Sequence, residues 1–267
     1  MYRFVTLVRL MYFCIAMTQP EYIRLDAVAS TNTYLSTLPL TTPHGTVVTA
    51  TAQLAGRGQR GNSWESAPGA NITLSMLLKP TNIDAPAQFT ISEIVSIAVV
   101  RTLEKFLPPT TSISIKWPND IYAGGDRKIC GILIEHTLSG RGILRTIAGI
   151  GLNVNQPNFL SDAPNPVSML MIAGSPLPLP EIEHTLCTTI LSLFDRYDSP
   201  DHFDELHSLY RSMLWRGKGY FPYRDTATGQ SFMAQIETVA PTGHITLVDT
   251  TGLRRTYAFK EVAALID

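Results

Sequence analysis

The sequence predicts an α+β protein, with a mixed β-sheet packed against helices and a small all-β unit after it. Three observations carry this expectation. Up to about residue 215, short β-branched or alternating runs are interleaved with stretches of helical period. From about residue 217 onward the helical period disappears, and short β runs alternate with Thr-Gly turns. The chain has 267 residues, 45% of them apolar and only 16% charged. That is enough for one large domain or one large and one small, and it argues against a solvated, disordered chain.

The elements follow in order. Residues 1–17, MYRFVTLVRLMYFCIAM, are apolar, but Arg9 interrupts the apolar core and no small-residue cleavage site follows, both departures from a signal-peptide pattern. They are also short for a membrane span. An upstream start with Met11 or Met17 as alternatives, an added strand and an amphipathic surface helix all remain open. YIRLDAV at 22–28 reads as a strand, STNTYLSTL at 30–38 as a helix start capped by Ser30, and GTVVTATAQ at 45–53 as a strand. NITLSMLLKP at 71–80 is a further strand that stops at Pro80. Residues 86–106 repeat apolar side chains at helical spacing and predict a long helix on a sheet. SISIKWP at 112–118 is a strand ending at Pro118. Residues 128–138 and 143–154 are two strands joined by the hairpin signal Ser139-Gly140-Arg141-Gly142. Residues 157–180 are proline-rich without a strong period, and 181–197 and 201–214 read as helices. The segments KGYFPYR, FMAQIETV, ITLVD and GLRRTYAF, with turns at Thr228-Gly229, Thr242-Gly243 and Thr251-Gly252, predict a compact SH3-like barrel. The expected division is an extension over 1–20, a large domain over 21–214 and the barrel over 215–267.

The net charge of −1 and the lack of a long basic run give no whole-protein attraction to nucleic acid, although a local basic patch stays open. The three cysteines, Cys14, Cys130 and Cys187, are far apart, so neither a zinc site nor a disulfide framework is expected. Cys130, in the apolar run ICGILIE, reads as a small buried hydrophobe. A reducing cytoplasm fits.

Four motifs can carry chemistry. Gln53 to Trp64, QLAGRGQRGNSW, has glycines at 56, 58 and 61 that let backbone amides approach a ligand, and Arg57 and Arg60 that match phosphate or carboxylate oxygens. Trp64 can cover a flat ring. It is neither a P-loop nor a dinucleotide motif, and a solvated surface loop has similar weight on composition alone. KWPND at 116–120 places Asn119 and Asp120 at a strand tip, and Lys128 opens the next strand, where its ammonium can meet a phosphate oxygen or simply be solvated. GIGLNVN at 149–155 presents Asn153 and Asn155, which can bond a base or ribose or form a turn. Ser30-Thr31-Asn32 can bind a neutral hydrogen-bonding group or only cap a helix.

Each motif is weak alone, but together and in this order they strongly resemble the biotin–protein ligase family. The order is Ser-Thr-Asn, the GRGxRG loop with Gln53 and Trp64, KWPND, Asp126-Arg127-Lys128, GILIE at 131–135 and GxGxN. The resemblance runs from about residue 22 to the C-terminus. It implies a class II synthetase-like catalytic domain over 21–214 and the activity of a biotin–[acetyl-CoA-carboxylase] ligase. Such an enzyme forms biotinyl-5′-AMP from biotin and ATP with Mg²⁺, then passes biotin to one lysine of a biotin carboxyl carrier protein.

By motif, the resemblance places Ser30, Thr31, Asn32, Gln53, Arg57, Gly58, Gln59, Lys128 and Gly131 around biotin. It places Arg57, Arg60, Trp64, Asn119, Lys128 and Asn153 around ATP and the adenylate. Lys128, Arg57 and Asp120 become the catalytic candidates, with Asp120 orienting or deprotonating the acceptor lysine; metal ligands stay unassigned. Some family members carry arginine where this chain has Gln59, which loses a charge from the loop. No helix-turn-helix has room before residue 20, so the short form without a DNA-binding domain is expected, with no transcriptional role, no nucleic-acid partner and no membrane partner. A homodimer is compatible with all of this. The rival readings are a lipoate–protein ligase or octanoyltransferase on the same scaffold, and a non-catalytic binding module.

Overall fold

A computed structural model of the chain describes residues 18–58, 63–161 and 165–266. The expectations for residues 1–17, including Cys14, and for Gln59 and Arg60 fall outside them.

The early β runs build one seven-stranded sheet in the order β1-β2-β3-β7-β6-β5-β4. β1 (Glu21–Val28) lies parallel to β2 (Thr46–Gln53), and the remaining neighbours are antiparallel, so the sheet is mixed as expected. β3 (Ile72–Leu78), β7 (Gly142–Leu152) and β6 (Lys128–Ser139) form its middle. Every residue of β3 is buried, which explains why ITLSMLL is so nearly apolar throughout. The single strand expected over 112–118 is instead the first arm of a hairpin. β4 (Ile113–Lys116) turns through Trp117-Pro118-Asn119 into β5 (Asp120–Ala123), with Lys116 opposite Asp120.

Strand alternation sorts the side chains onto two faces. Val47, Met76, Leu78, Ala148, Ile150 and Leu152 join the large core, which also takes in the side chains of α2 (Phe89–Phe106) and α4 (Leu179–Tyr197). Their sequence neighbours Val48, Leu77 and Ile147 form a second, small cluster with Leu35 of α1 (Thr31–Thr37). The proline-rich segment, which shows no strong period, contains a short helix, α3 (Met169–Ala173). Ser168 Oγ caps it by accepting from the Met171 amide, and Gly174 ends it at φ +76°. α5 (Phe203–Ser212) lies inside the expected second helix.

The C-terminal run forms a second, antiparallel sheet consistent with a small barrel-like unit. Its order is β11-β10-β9-β8-β12, from β8 (Phe221–Asp225), β9 (Ser231–Val239), β10 (Ile245–Asp249), β11 (Arg254–Tyr257) and β12 (Val262–Ala264). The three expected Thr-Gly turns have glycines at positive φ: Gly229 at +74°, Gly243 at +85° and Gly252 at +87°.

The connection between the sheets is tied to the first. Ile115 donates its amide to Met213 O and accepts from the Trp215 amide, both at 2.8 Å. The Trp117 indole donates to Gly243 O at 3.0 Å, so a turn of the second sheet braces the KWPND hairpin. Among the described residues no helix is long and apolar enough to cross a membrane.

Candidate active site

On β6 and β7 three of the residues that point away from α2 and α4 are glycines. Gly151 pairs with Gly131, and Gly149 pairs with Leu133 on β6 and Ser75 on β3. These glycines clear a channel across the α1 face of the sheet. A Cβ on Gly131 would stand 2.8 Å from the Trp64 ring. A Cβ on Gly151 would collide with the same indole, and one on Gly149 with the Asn32 carboxamide. The channel opens into a cavity of about 810 Å³, a size ordinary for a small-molecule site.

The glycine-rich loop borders it. β2 ends at Gln53, and the loop is closed at its base by the Trp64 amide donating to Gly56 O at 2.9 Å and by a bridge between Arg57 and Ser63. Arg57 reaches Glu135 on β6, with Nη2 3.0 Å from Oε2. Trp64 lies flat on the glycine pair, its buried Nε1 lacking a hydrogen-bond partner.

One end of the cavity is a chain of hydrogen bonds among buried polar groups. Thr31 donates its amide to Gln53 Oε1 at 2.8 Å. Asn32 Nδ2 donates to Glu135 Oε2 at 2.6 Å, and Ser75 Oγ lies within hydrogen-bond distance of both Thr31 and Asn32. Ser30 occupies the cap position of α1, yet its hydroxyl makes no capping bond. It faces the cavity instead, so helix capping is not its role here.

The other end is charged. Lys128 Nζ lies 2.8 Å from Asp120 Oδ1 and 5.7 Å from the Trp64 ring centre. The Lys128 backbone is held on both sides, donating to Asn165 O at 2.7 Å and accepting from the Val167 amide at 3.0 Å. Asn153, nine-tenths and more buried, donates through Nδ2 to Val167 O at 3.1 Å, which leaves its Oδ1 without a donor. Glu65 sits on the same wall, tied to the Leu160 and Ser161 amides at 2.9 and 2.7 Å. Those backbone and side-chain donors hold its carboxyl below the usual carboxylate range, against the opposing pull of desolvation.

Ser30, Thr31, Asn32, Gln53, Arg57, Gly58, Trp64, Asp120, Lys128, Gly131 and Asn153 all border this one cavity. Asn119 does not. It turns into a neighbouring cleft of about 400 Å³ between the two sheets, next to Trp117 and Trp215. Asn155, the other half of that pair, is a structural residue: its side chain donates to Leu177 O and accepts from the Leu177 amide, each near 2.9 Å or less. Cys130 is fully buried, and desolvation pushes its thiol far above the ordinary range, so it is the inert hydrophobe expected.

Sequence reading missed several participants, Glu65 among them. Ser75 and Glu135 had a visible signal, a polar residue inside an otherwise apolar strand. Phe259 and Lys260 line the cavity from the second sheet's last connection, and nothing local in the sequence marks them.

The comparisons with known proteins agree with this geometry. Residues 25–155 match the model of the Biotin/lipoate A/B protein ligase family. The Bifunctional ligase/repressor BirA of Bacillus subtilis (strain 168) is 40% identical over 123 residues, 45% of this chain and 36% of that protein. The Biotin--[acetyl-CoA-carboxylase] ligase of Paracoccus denitrificans is 36% identical over 107 residues, 40% of this chain and 43% of that protein. The matched stretch thus spans less than half the length of these relatives. Over nearly the whole fold, the chain resembles the solved Biotin protein ligase from Aquifex aeolicus in complex with biotin and ATP. The TM-score is 0.72 at 23% identity, covering 91% of this chain and 97% of that one. Residues 25–155 thus carry a match to the biotin/lipoate A/B protein ligase family, and the motifs and the sheet agree with it.

Proposed function

We propose that this protein is an ATP-dependent biotin–protein ligase, acting through biotinyl-5′-AMP on a lysine of a biotin carboxyl carrier protein domain. One observation carries the reading: a single cavity joins a hydrogen-bonding end built on Thr31, Asn32 and Gln53 to a charged end that carries Lys128, with a glycine-floored channel between them. The hydrogen-bonding end suits the cyclic urea of biotin better than the dithiolane of lipoate, which has no N–H or C=O to bond. The valeryl chain then runs along the channel toward Lys128. There the biotin carboxylate oxygen attacks the α-phosphorus of ATP, the bond to the β-phosphate breaks, and pyrophosphate leaves. In the second step the acceptor amine attacks the acyl carbon, loses a proton and expels AMP.

Both partners of the first step are anions, so their approach needs positive charge. Lys128 supplies it at the charged end, and Arg57 adds to it on turning from its ion pair with Glu135; together they stabilise the charge that builds on the phosphorus oxygens. Magnesium fits as a companion of the triphosphate. No cluster of three ligating side chains exists among the described residues, and the ion ordinarily relies on phosphate oxygens, water and one or two carboxylates. Asp120 and Glu65 are the carboxylates at that end, and Asp120 is the candidate to orient an incoming lysine. Asn153 Oδ1, a buried acceptor without a donor, is suited to the exocyclic amine of adenine. Trp64 offers a flat surface beside it. We place the division between the two domains at Trp215 and the protein in the cytoplasm, where unpaired, buried Cys130 and Cys187 are at home.

Biotin-dependent exchange of labelled pyrophosphate into ATP tests the reading. Exchange with biotin and not with lipoate is expected. Exchange with lipoate alone would replace it with the lipoate branch, and no exchange with either would leave a binding module.

A further inference from the structure

Ser75 does not line the cavity, yet it touches two residues that do. It is fully buried in the middle of β3, with Oγ 2.7 Å from Thr31 Oγ1 and 2.5 Å from Asn32 Oδ1. Thr31 Oγ1 in turn lies 3.1 Å from Gln53 Oε1. A hydroxyl carries one proton, so two protons serve three oxygen–oxygen contacts and one contact has none. Among the described residues Ser75 is the only donor to Asn32 Oδ1, and the Ser75 proton therefore points there. The 2.7 Å contact between Ser75 and Thr31 also needs a proton, and Thr31 alone can then supply it. The contact left bare is the longest of the three, and Gln53 Oε1 already accepts the Thr31 amide at 2.8 Å. The hydrogen-bonding end of the cavity thus holds two facing acceptor oxygens, a seat for an N–H.

We propose that Ser75 is a positioning residue that holds the Thr31 hydroxyl proton away from Gln53, so that Gln53 Oε1 keeps a lone pair free and this end of the cavity selects a ligand head bearing an N–H donor. The identification of that head as a cyclic urea rests on the biotin reading above. Without Ser75 the Thr31 proton is released to turn toward Gln53, where it fills the lone pair that the ligand N–H would use.

Calorimetry with biotin on the wild type, Ser75→Ala, Thr31→Val and the double variant tests this, with the Michaelis constant for ATP measured alongside. Ser75→Ala should raise the biotin Kd about tenfold, the scale of one misdirected buried hydrogen bond, and leave the ATP constant unchanged. In the Thr31→Val background the same change should add less than about twofold, because the proton it redirects is gone. Ser75→Cys fills a similar volume with a weaker donor and should move in the same direction as Ser75→Ala. An unchanged Kd in Ser75→Ala, or an equal loss in both backgrounds, overturns the proposal. A wild type that binds no biotin would instead defeat the ligase reading itself.

Discussion

The two faces of the large sheet are built from the same strands, one residue apart, and they do opposite work. On β7, Ala148, Ile150 and Leu152 enter the core shared with α2 and α4. Gly149 and Gly151, one step along, leave a channel floor on which Asn32 and Trp64 rest. On β3, Leu74 and Met76 are core residues, while Ser75 between them carries the hydrogen bonds of that end of the cavity built on Thr31 and Asn32. One face gains stability by filling space. The other stays useful by refusing to fill it, and its buried polar groups are held by one another.

Neighbouring substitutions can therefore be set against each other. The largest expected effect is on the filled face. Leu152→Ala, at a fully buried position, should lower stability by about 2–5 kcal/mol, read by denaturant unfolding, with biotin affinity near wild type in the folded protein. Across the sheet, Lys128→Ala should slow adenylate formation by about a hundredfold to a thousandfold, measured by pyrophosphate exchange, with little change in the thermal midpoint. Equal losses of stability and rate in both variants would erase the distinction between faces. Gly151→Val is the sharper probe, because it adds bulk where the channel needs none. Its side chain must displace the Trp64 ring, and the ligand should bind about ten- to a hundredfold more weakly, by the scale of overpacking, as seen by calorimetry.

The smallest effect concerns pH. His136 neighbours Glu135 on β6 but contacts Thr146 Oγ1 at 2.8 Å, and burial lowers its pKa from the ordinary 6.5. The folded protein resists a proton that the unfolded chain accepts, so stability should fall as pH drops through about 6.5. His136→Gln should flatten that decline in a series of thermal melts. A melt series equally steep in the variant would place the sensitivity elsewhere, with His44, also lowered by burial, as the next candidate.

Much of this was legible beforehand, for identifiable reasons. The long helix and the central strands announced themselves through period, and the Thr-Gly turns through the conformation glycine alone adopts readily. The KWPND hairpin is only half legible: Pro118 marks a strand end, but the return strand Asp120–Ala123 is too short to carry a pattern. α3 was hidden because its five residues complete little more than one turn.

The sequence by itself determined the mixed sheet, the small β unit and the chemical kinds present at the site: an arginine loop, a strand-end lysine and a polar triplet. Those follow from local propensity and from motif order, which the chain carries residue by residue. Only the tertiary structure decided which glycines face the channel, that Glu135 holds Arg57, and that Ser75 stands behind Thr31 and Asn32. Such choices depend on strand register, since a shift of one residue would exchange the two faces of the sheet. Register is set by pairing between segments far apart in the chain, and no single segment contains it.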